Sequence, residues 1–435
     1  MIEKYYDGAI EQVAAGLGTV EKNHLLVRYS GQFSVENLND TKQLEKNEDI
    51  FVQVHEFETG EITCAYEPYL TMICDGFRRY MTGTFEEFME TCDVYYLHRP
   101  VLLGYFNQDN TGREEIILLD EVAYEQERML AALERMLCAI ADRHPVLFVL
   151  NRFQLASKST MQLTARFLKC ENCNIGLVLG VSDVQAMPEF LVPDWEMLYE
   201  TLDDGSKIYH IGNSGRKKEE TIDDEKYVDY GSEKVYRKLQ NMVEFLDFDQ
   251  AAYYLETIER KIKFDNLLVD DAARFRMWLL FVKVSILRQD IPKALEICED
   301  LEKIHLAGKE EECAYEQDYL IATAYMYQGK LKEALEMAGE TYRIAGKMSD
   351  DYRMFLSELL EAKIQMSGWY NIFFCAQDVK IKESLIQNLI RYNYRNHLAH
   401  VYIYAYDNKP EIVKKANQSE ELLIYFSRGI RIAKK

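Results

Sequence analysis

Short apolar runs alternate with segments of helical periodicity in the first part of the chain, up to residue 205. Four runs rich in Val, Leu, Ile and Phe predict strands: His24–Ser30, Asp49–Phe57, Pro145–Leu150 and Ile175–Val181. Between Glu121 and His144, and again from Ser157, apolar residues recur at the spacing of one helical face. This alternation predicts an α/β domain with a mostly parallel sheet over residues 1–205.

A polar and highly charged segment follows at residues 206–232. It has no apolar period, and it contains Gly, Ser and runs of both charge signs. Such segments are typical of solvated loops, so we expect a linker between two domains here.

Helical periodicity dominates residues 233–435, and the pattern repeats. The clearest copy is Leu320–Ala345, in which Gly329 is expected in a turn and Ala334 where the second helix crosses the first. Related positions in weaker copies recur about every 40 residues: Ala252, Ala294, Gly368 and Asn408. Helical hairpins with this period predict an α-solenoid. This half resembles tetratricopeptide repeats, and its period is nearer the longer-repeat superhelix of large ATP-dependent transcriptional activators.

The first half resembles the signal-transduction ATPases with numerous domains (the STAND class). The likeness spans about Ala9 to Asp183 and depends on three stretches: the Pro-aromatic segment from Ala65, Pro145–Leu168, and the strand LVLGVSD ending at Asp183. The resemblance implies a P-loop-like parallel sheet with a nucleotide site where the strands end.

The residues that such a site needs are replaced in this chain. Alignment of His24–Leu38 on the phosphate loop places Tyr29 and Ser34 at the two Gly positions, Val35 at the Lys and Glu36 at the Mg²⁺-binding Ser/Thr. Asn151 and Arg152 stand where the family has an acidic pair that holds Mg²⁺. No GxxxxGK[ST] motif occurs anywhere in the chain. We therefore predict that the domain does not hydrolyse Mg²⁺-ATP and needs no cofactor.

The charge and the cysteine content of the chain limit the classes of function and the compartment that we expect. The chain has 51 Lys and Arg against 73 Asp and Glu, a net charge of −22, which disfavours direct binding to nucleic acid. Nine cysteines, no signal-peptide pattern and no apolar run long enough to span a bilayer predict a cytoplasmic protein. The pair Cys170 and Cys173 is a lone CxxC, for which packing, redox and metal roles stay open, although a zinc site needs more ligands.

These observations predict a non-enzymatic regulatory or scaffold protein that binds a protein or peptide partner in the repeat groove, with the α/β module serving for docking or oligomerisation. One alternative is an ATP-responsive transcriptional regulator that acts with a separate DNA-binding partner, and another is a divergent NTPase. The sheet should present the ends of His24–Ser30 and Pro145–Leu150 side by side. Glu36 and Arg152 would then lie at this edge, either paired with each other or both facing water.

Overall fold

The computed structural model describes residues 2–17, 24–29, 33–35, 38, 49–58, 60–95, 98–108, 122–170, 174–182, 187–203, 207–211, 229–265, 267–371 and 388. The chain divides into two compact units. The first comprises Met1–Arg113 and Ala123–Glu256, and the second comprises Glu114–Val122 and Thr257–Lys435. Among the described helices, none combines the length and the apolar character needed to cross a lipid bilayer.

The first unit contains a sheet and helices in the alternation that the apolar pattern predicts. The strands are β1 (Leu25–Tyr29), β2 (Phe51–Glu56), β3 (Val146–Asn151), β4 (Ile175–Ser182) and β5 (Lys207–Ile211). The helices are α1 (Ile2–Gly16), α2 (Tyr69–Tyr80), α3 (Phe85–Thr91), α4 (Arg99–Asn107), α5 (Val122–Ala141), α6 (Lys158–Lys169), α7 (Val192–Asp203), α8 (Glu233–Glu244) and the first part of α9 (Phe248–Phe264).

The described strands form one parallel sheet in the order β2-β3-β4-β1-β5. The prediction of a parallel α/β domain is confirmed. The prediction that the first and third strands lie side by side is wrong, because β4 pairs with both and separates them. All carboxyl ends still meet at one edge, since every strand runs in the same direction.

Alternate residues of the strands face opposite layers of helices. On one face, Leu147 and Val149 of β3 join a core cluster with Ile10 and Val13 of α1. On the other face, the Phe148 ring packs against Tyr69 of α2, with the ring centroids 4.8 Å apart. The sheet is thus covered on both sides, which explains the uninterrupted apolar runs of β3 and β4.

The described part of the second unit is helical. It contains the remainder of α9 and the helices α10 (Asp271–Leu287), α11 (Ile291–Leu301), α12 (Glu310–Gln328), α13 (Leu331–Met348) and α14 (Asp351–Asn371). Each helix packs on its successor from α10 to α14, and α10 also contacts α12. Ala334 of α13 is fully buried in a core cluster with Ala322 of α12 and Leu360 of α14, whereas Lys332 is exposed.

The same turn joins α8 to α9, α10 to α11, and α12 to α13. Its central residue has a positive φ in each case: 67° at Leu246, 64° at Gln289 and 80° at Gly329. The next N–H then donates to the carbonyl five residues earlier, from Asp247 to Met242, Asp290 to Ser285, and Lys330 to Tyr325. This bond closes a Schellman motif, which ends a helix and reverses the chain. Gly329 therefore lies in a turn, as the sequence predicts.

In each of these hairpins the turn places an alanine at the same position near the start of the second helix. Ala251, Ala294 and Ala334 each donate a backbone hydrogen bond to the residue four positions earlier, at the start of the helix, and each has an exposed fraction of 0%. The position equivalent to Ala294 in the first hairpin is thus Ala251, one residue before the expected Ala252. Gly368 differs from the prediction as well, because it lies inside α14 rather than in a turn. Asn408 lies outside the described residues.

The boundary between the units also differs from the boundary expected at residue 233. Residues 233–256, which include α8 and the first part of α9, belong to the first unit. The prediction of a linker over residues 206–232 is wrong at its start, because residues 207–211 form β5 and pair with β1. Residues 212–228 lie outside the described residues.

Candidate functional site

The carboxyl ends of the strands bring together most of the residues that the sequence analysis selects. Tyr29 is the last residue of β1 and Asn151 is the last residue of β3. Glu56, at the end of β2, lies beside Asn151 in the parallel register. We call this the strand-end cluster: Tyr6, Tyr29, Phe33, Ser34, Val35, Glu56, Asn151 and Arg152.

A buried hydrogen bond crosses β4 within this cluster. The Tyr29 hydroxyl donates to Asn151 Oδ1 at 2.6 Å, and Asn151 Nδ2 donates to the Phe33 carbonyl at 3.0 Å. Gly180 of β4 leaves the space for this crossing. A Cβ atom at Gly180 would lie 2.4 Å from Tyr6 Oη and 2.6 Å from Asn151 Oδ1. The side chains of two strands that are not neighbours therefore meet above a glycine.

Glu56 binds the segment that follows β1. Its Oε2 accepts hydrogen bonds from Ser34 Oγ at 2.8 Å and from the backbone N–H of Val35 at 3.2 Å. Its Oε1 lies 3.4 Å from Nε of Arg152. Val35 is the residue aligned with the phosphate-binding Lys. Its backbone N–H thus already donates to a carboxylate of the protein itself.

Arg152 has one ion-pair partner in the strand-end cluster, and it is Glu56. Its backbone is left-handed, with φ 53°, where the chain turns from β3 into the following 3₁₀ turn. Glu36 lies outside the described residues, so the expected contact between Glu36 and Arg152 stays a prediction. Sequence reasoning missed Glu56, although its position at the end of a parallel strand is a signal that could have been used.

Aromatic rings fill the space beside these polar contacts. The Tyr6 and Phe33 ring centroids are 5.4 Å apart, and those of Tyr29 and Phe33 are 5.7 Å apart. Tyr6 Oη is buried and has no hydrogen-bond partner among the described residues. Burial, with Tyr29 and Glu56 nearby, raises the pKa of Tyr6 well above its ordinary value. Burial likewise raises the pKa of Tyr29 to about 12. Both phenols are therefore neutral at physiological pH.

The cluster offers one carboxylate, one guanidinium and neutral hydroxyl and amide groups. Carboxylate and guanidinium neutralise each other, and no Lys belongs to the cluster. In the described ranges, no group of three or more His, Cys, Asp or Glu side chains is placed to hold a metal ion. Cys170 lies at the end of α6, and Cys173 is outside the described residues.

The chain segment after β3 connects this cluster to the hairpin of α8 and α9. Ser157 caps α6, and the next N–H groups are bound by that hairpin. Lys158 N donates to Gln250 Oε1 at 3.3 Å, and Ser159 N donates to Asp247 Oδ2 at 3.0 Å. The Lys158 ammonium also pairs with Asp249.

Asp247 is 4% exposed. Its burial raises the pKa of the carboxyl group, while the hydrogen bonds from Ser159 act in the opposite direction. A carboxylate at this place also interacts favourably with the N-terminal end of the α6 dipole. The hairpin of α8 and α9 is thus held on the first unit through the start of α6, only a few residues from the strand-end cluster.

Comparisons of the chain with protein-family models, with curated proteins and with solved structures found no match.

Proposed function

We propose that this protein is a non-enzymatic regulator or scaffold. In this proposal the first unit is a degenerate P-loop-like domain related to the STAND class, without ATP hydrolysis. The second unit supplies tetratricopeptide-like helical repeats that bind a protein or peptide partner.

The observation that carries the proposal is the hydrogen bond from Val35 N to Glu56. Phosphate-binding loops use backbone N–H groups and a Lys to hold the β- and γ-phosphates. Here a carboxylate accepts that N–H, and its negative charge would repel a phosphate brought to the same place. The buried rings of Tyr6, Tyr29 and Phe33 fill the space beside it. Each of these features opposes nucleotide binding.

The repeated turns support the assignment of partner binding to the helices. Leu246, Gln289 and Gly329 end helices with the same backbone bond, and buried alanines follow at the same offset. Helical hairpins that repeat in this way stack into surfaces that bind peptides or partner helices.

Isothermal titration of the purified chain with Mg²⁺-ATP, together with a phosphate-release assay, tests the loss of the nucleotide site. We expect no saturable binding and no turnover above the rate without protein. Val35→Lys should not restore binding, because Glu56 and the aromatic rings remain. Glu56→Gln is the matched variant that removes the charge alone, and it should not restore turnover either.

Micromolar binding of Mg²⁺-ATP with turnover by the unmodified chain would contradict the proposal and favour a divergent NTPase. Retarded migration of random duplex DNA at physiological salt would instead favour a transcriptional role. Partner binding is tested by comparing proteins captured by the full chain with those captured by residues 1–264, which keep α9 whole but lack the turns at Gln289 and Gly329. A partner bound by the second unit is expected with the full chain alone, and equal capture by both would contradict this part of the proposal.

A further inference from the structure

Helices α2, α4 and α8 of the first unit line a half-open cavity of about 460 Å³. Small-molecule sites in proteins commonly measure about 300–1,000 Å³. None of the lining residues belongs to the strand-end cluster. The cavity is therefore separate from the strand-end cluster and independent of the proposed loss of nucleotide binding.

An aromatic pair forms one wall of this cavity. The rings of Tyr105 on α4 and Phe245 at the end of α8 are perpendicular, with centroids 5.7 Å apart. Phe245 is 1% exposed and Tyr105 is partly exposed, so Tyr105 supplies the accessible face of the pair and Phe245 supports it from behind. Burial raises the pKa of Tyr105 to about 12, so its hydroxyl stays neutral. This wall suits the apolar or aromatic part of a ligand.

Two guanidinium groups and two carboxylates line the same cavity: Arg78, Arg237, Asp75 and Glu244. Arg78 pairs with Asp75 on its own helix at 3.2 Å, and both side chains are more than a third exposed. Arg237 donates through Nε to Glu233 at 3.3 Å, in a pair that is also well exposed. Exposed pairs of this kind are weak, so a ligand carboxylate can compete for the arginines.

We propose that this cavity binds a small zwitterionic molecule of the amino-acid or dipeptide class. The two arginines bind the ligand carboxylate, and Asp75 and Glu244 bind its ammonium group. The aromatic pair packs against an apolar side chain of the ligand. The equal number of positive and negative groups favours a zwitterion over an anion, because each ligand charge then meets its opposite. The volume suits a dipeptide.

A ligand in this cavity would connect α8 to α2 and α4. Helix α8 is already held on this side by Asn241, whose Oδ1 accepts the backbone N–H of Ala65 at 3.2 Å. Phe245 adds an edge contact to the Tyr66 ring. Occupation of the cavity therefore stabilises the docked position of the α8–α9 hairpin, and the ligand should raise the melting temperature of the protein.

Isothermal titration and thermal-shift measurements on the full chain test the proposal with three probes of similar size. These are glycyl-L-phenylalanine, N-acetyl-L-phenylalanine without the ammonium group, and N-acetyl-L-phenylalaninamide without either charge. We expect saturable binding of the dipeptide with Kd below about 1 mM, and binding at least about tenfold weaker for both acetylated probes. Arg237→Gln should weaken dipeptide binding by about tenfold or more.

The matched control is Arg343→Gln, which removes another exposed arginine paired with a carboxylate of its own helix, Glu340. It should leave dipeptide binding unchanged. Both variants change exposed side chains and are expected to fold. No dipeptide binding up to about 10 mM, equal binding of the uncharged probe, tighter binding of the anionic probe, or no effect of Arg237→Gln would each overturn the proposal. None of these outcomes bears on the Mg²⁺-ATP measurement.

Discussion

Substitution of Gly180 by alanine tests the packing of the strand-end cluster most directly. The new methyl group would lie 2.4 Å from Tyr6 Oη and 2.6 Å from Asn151 Oδ1, and both residues are fully buried. Overpacking of this kind costs about 1–3 kcal/mol. A shift of Asn151 would also weaken the bond from Tyr29, and an unpaired buried hydroxyl costs about 1–3 kcal/mol. We expect Gly180→Ala to lower the free energy of unfolding by about 3 kcal/mol.

Tyr6→Phe is a second variant that tests whether the Tyr6 hydroxyl causes the cost of Gly180→Ala. It removes the nearest clashing atom and a hydroxyl without a hydrogen-bond partner among the described residues. Alone it should be neutral or should stabilise the protein by up to about 1 kcal/mol. In the Tyr6→Phe protein, Gly180→Ala should cost about 1 kcal/mol less than in the unmodified protein, because the two sites are in contact.

Urea unfolding followed by the fluorescence of Trp195 in α7 reports on the first unit, provided that Trp278 and Trp369 are replaced by Phe in every protein compared. Gly8→Ala is the matched control, since no atom lies within 4 Å of the added Cβ. It should stabilise α1 by about 0.5–1 kcal/mol. If Gly180→Ala cost no more than about 0.5 kcal/mol, or cost the same with and without the Tyr6 hydroxyl, the described packing of β4 would be refuted.

Two further predictions concern the second unit. Burial, with Glu340 and Glu302 nearby, raises the pKa of Asp318 from 3.8 to about 6. Between these two pH values the folded protein retains a proton that the unfolded chain has lost. The free energy of unfolding therefore falls as the pH rises from 3.8 to about 6. Asp318→Asn should therefore raise the free energy of unfolding by about 1–2 kcal/mol at pH 7.5, after allowance for partial exposure, and by much less at pH 4; equal gains in urea titrations at both pH values would contradict the shift. Ala334→Leu should destabilise the protein by about 1–3 kcal/mol and Lys332→Leu by less than about 0.5 kcal/mol in the same assay, and equal effects would mean that the helical register is wrong.

Local patterns predicted β1 to β4 of the first unit, but neither β5, which falls in the expected linker, nor the order of the strands. The apolar runs identified β1 to β4 because a strand covered on both faces must be apolar throughout. The insertion of β4 between β1 and β3 depends on long connections, which leave no local signal. Glu56 was missed for the same reason: its importance comes from the register of β2 beside β3.

The repeats show a similar limit. A spacing of 40 residues correctly related Ala294 to Ala334, because both follow the same turn by the same number of residues. The interval from Ala251 to Ala294 is three residues longer than the interval from Ala294 to Ala334, so the spacing selected Ala252 instead of Ala251. Helical periodicity also identified α8, but its membership of the first unit depends on contacts with distant residues, such as that between Asn241 and Ala65.

The position of Asp247 has a consequence for how this protein could be inherited in pieces. A gene fragment that ended at Ser232 would encode the sheet without the carboxylate that accepts the N–H of Ser159, and without the ring of Phe245 that covers Tyr66 and Tyr105. A fragment that ended at Phe264 would keep all of these contacts and the whole of α9. The smallest N-terminal piece that keeps these contacts and a whole α9 is therefore the sheet together with its first helical hairpin, and a break in the polar segment before α8 would separate residues that contact each other.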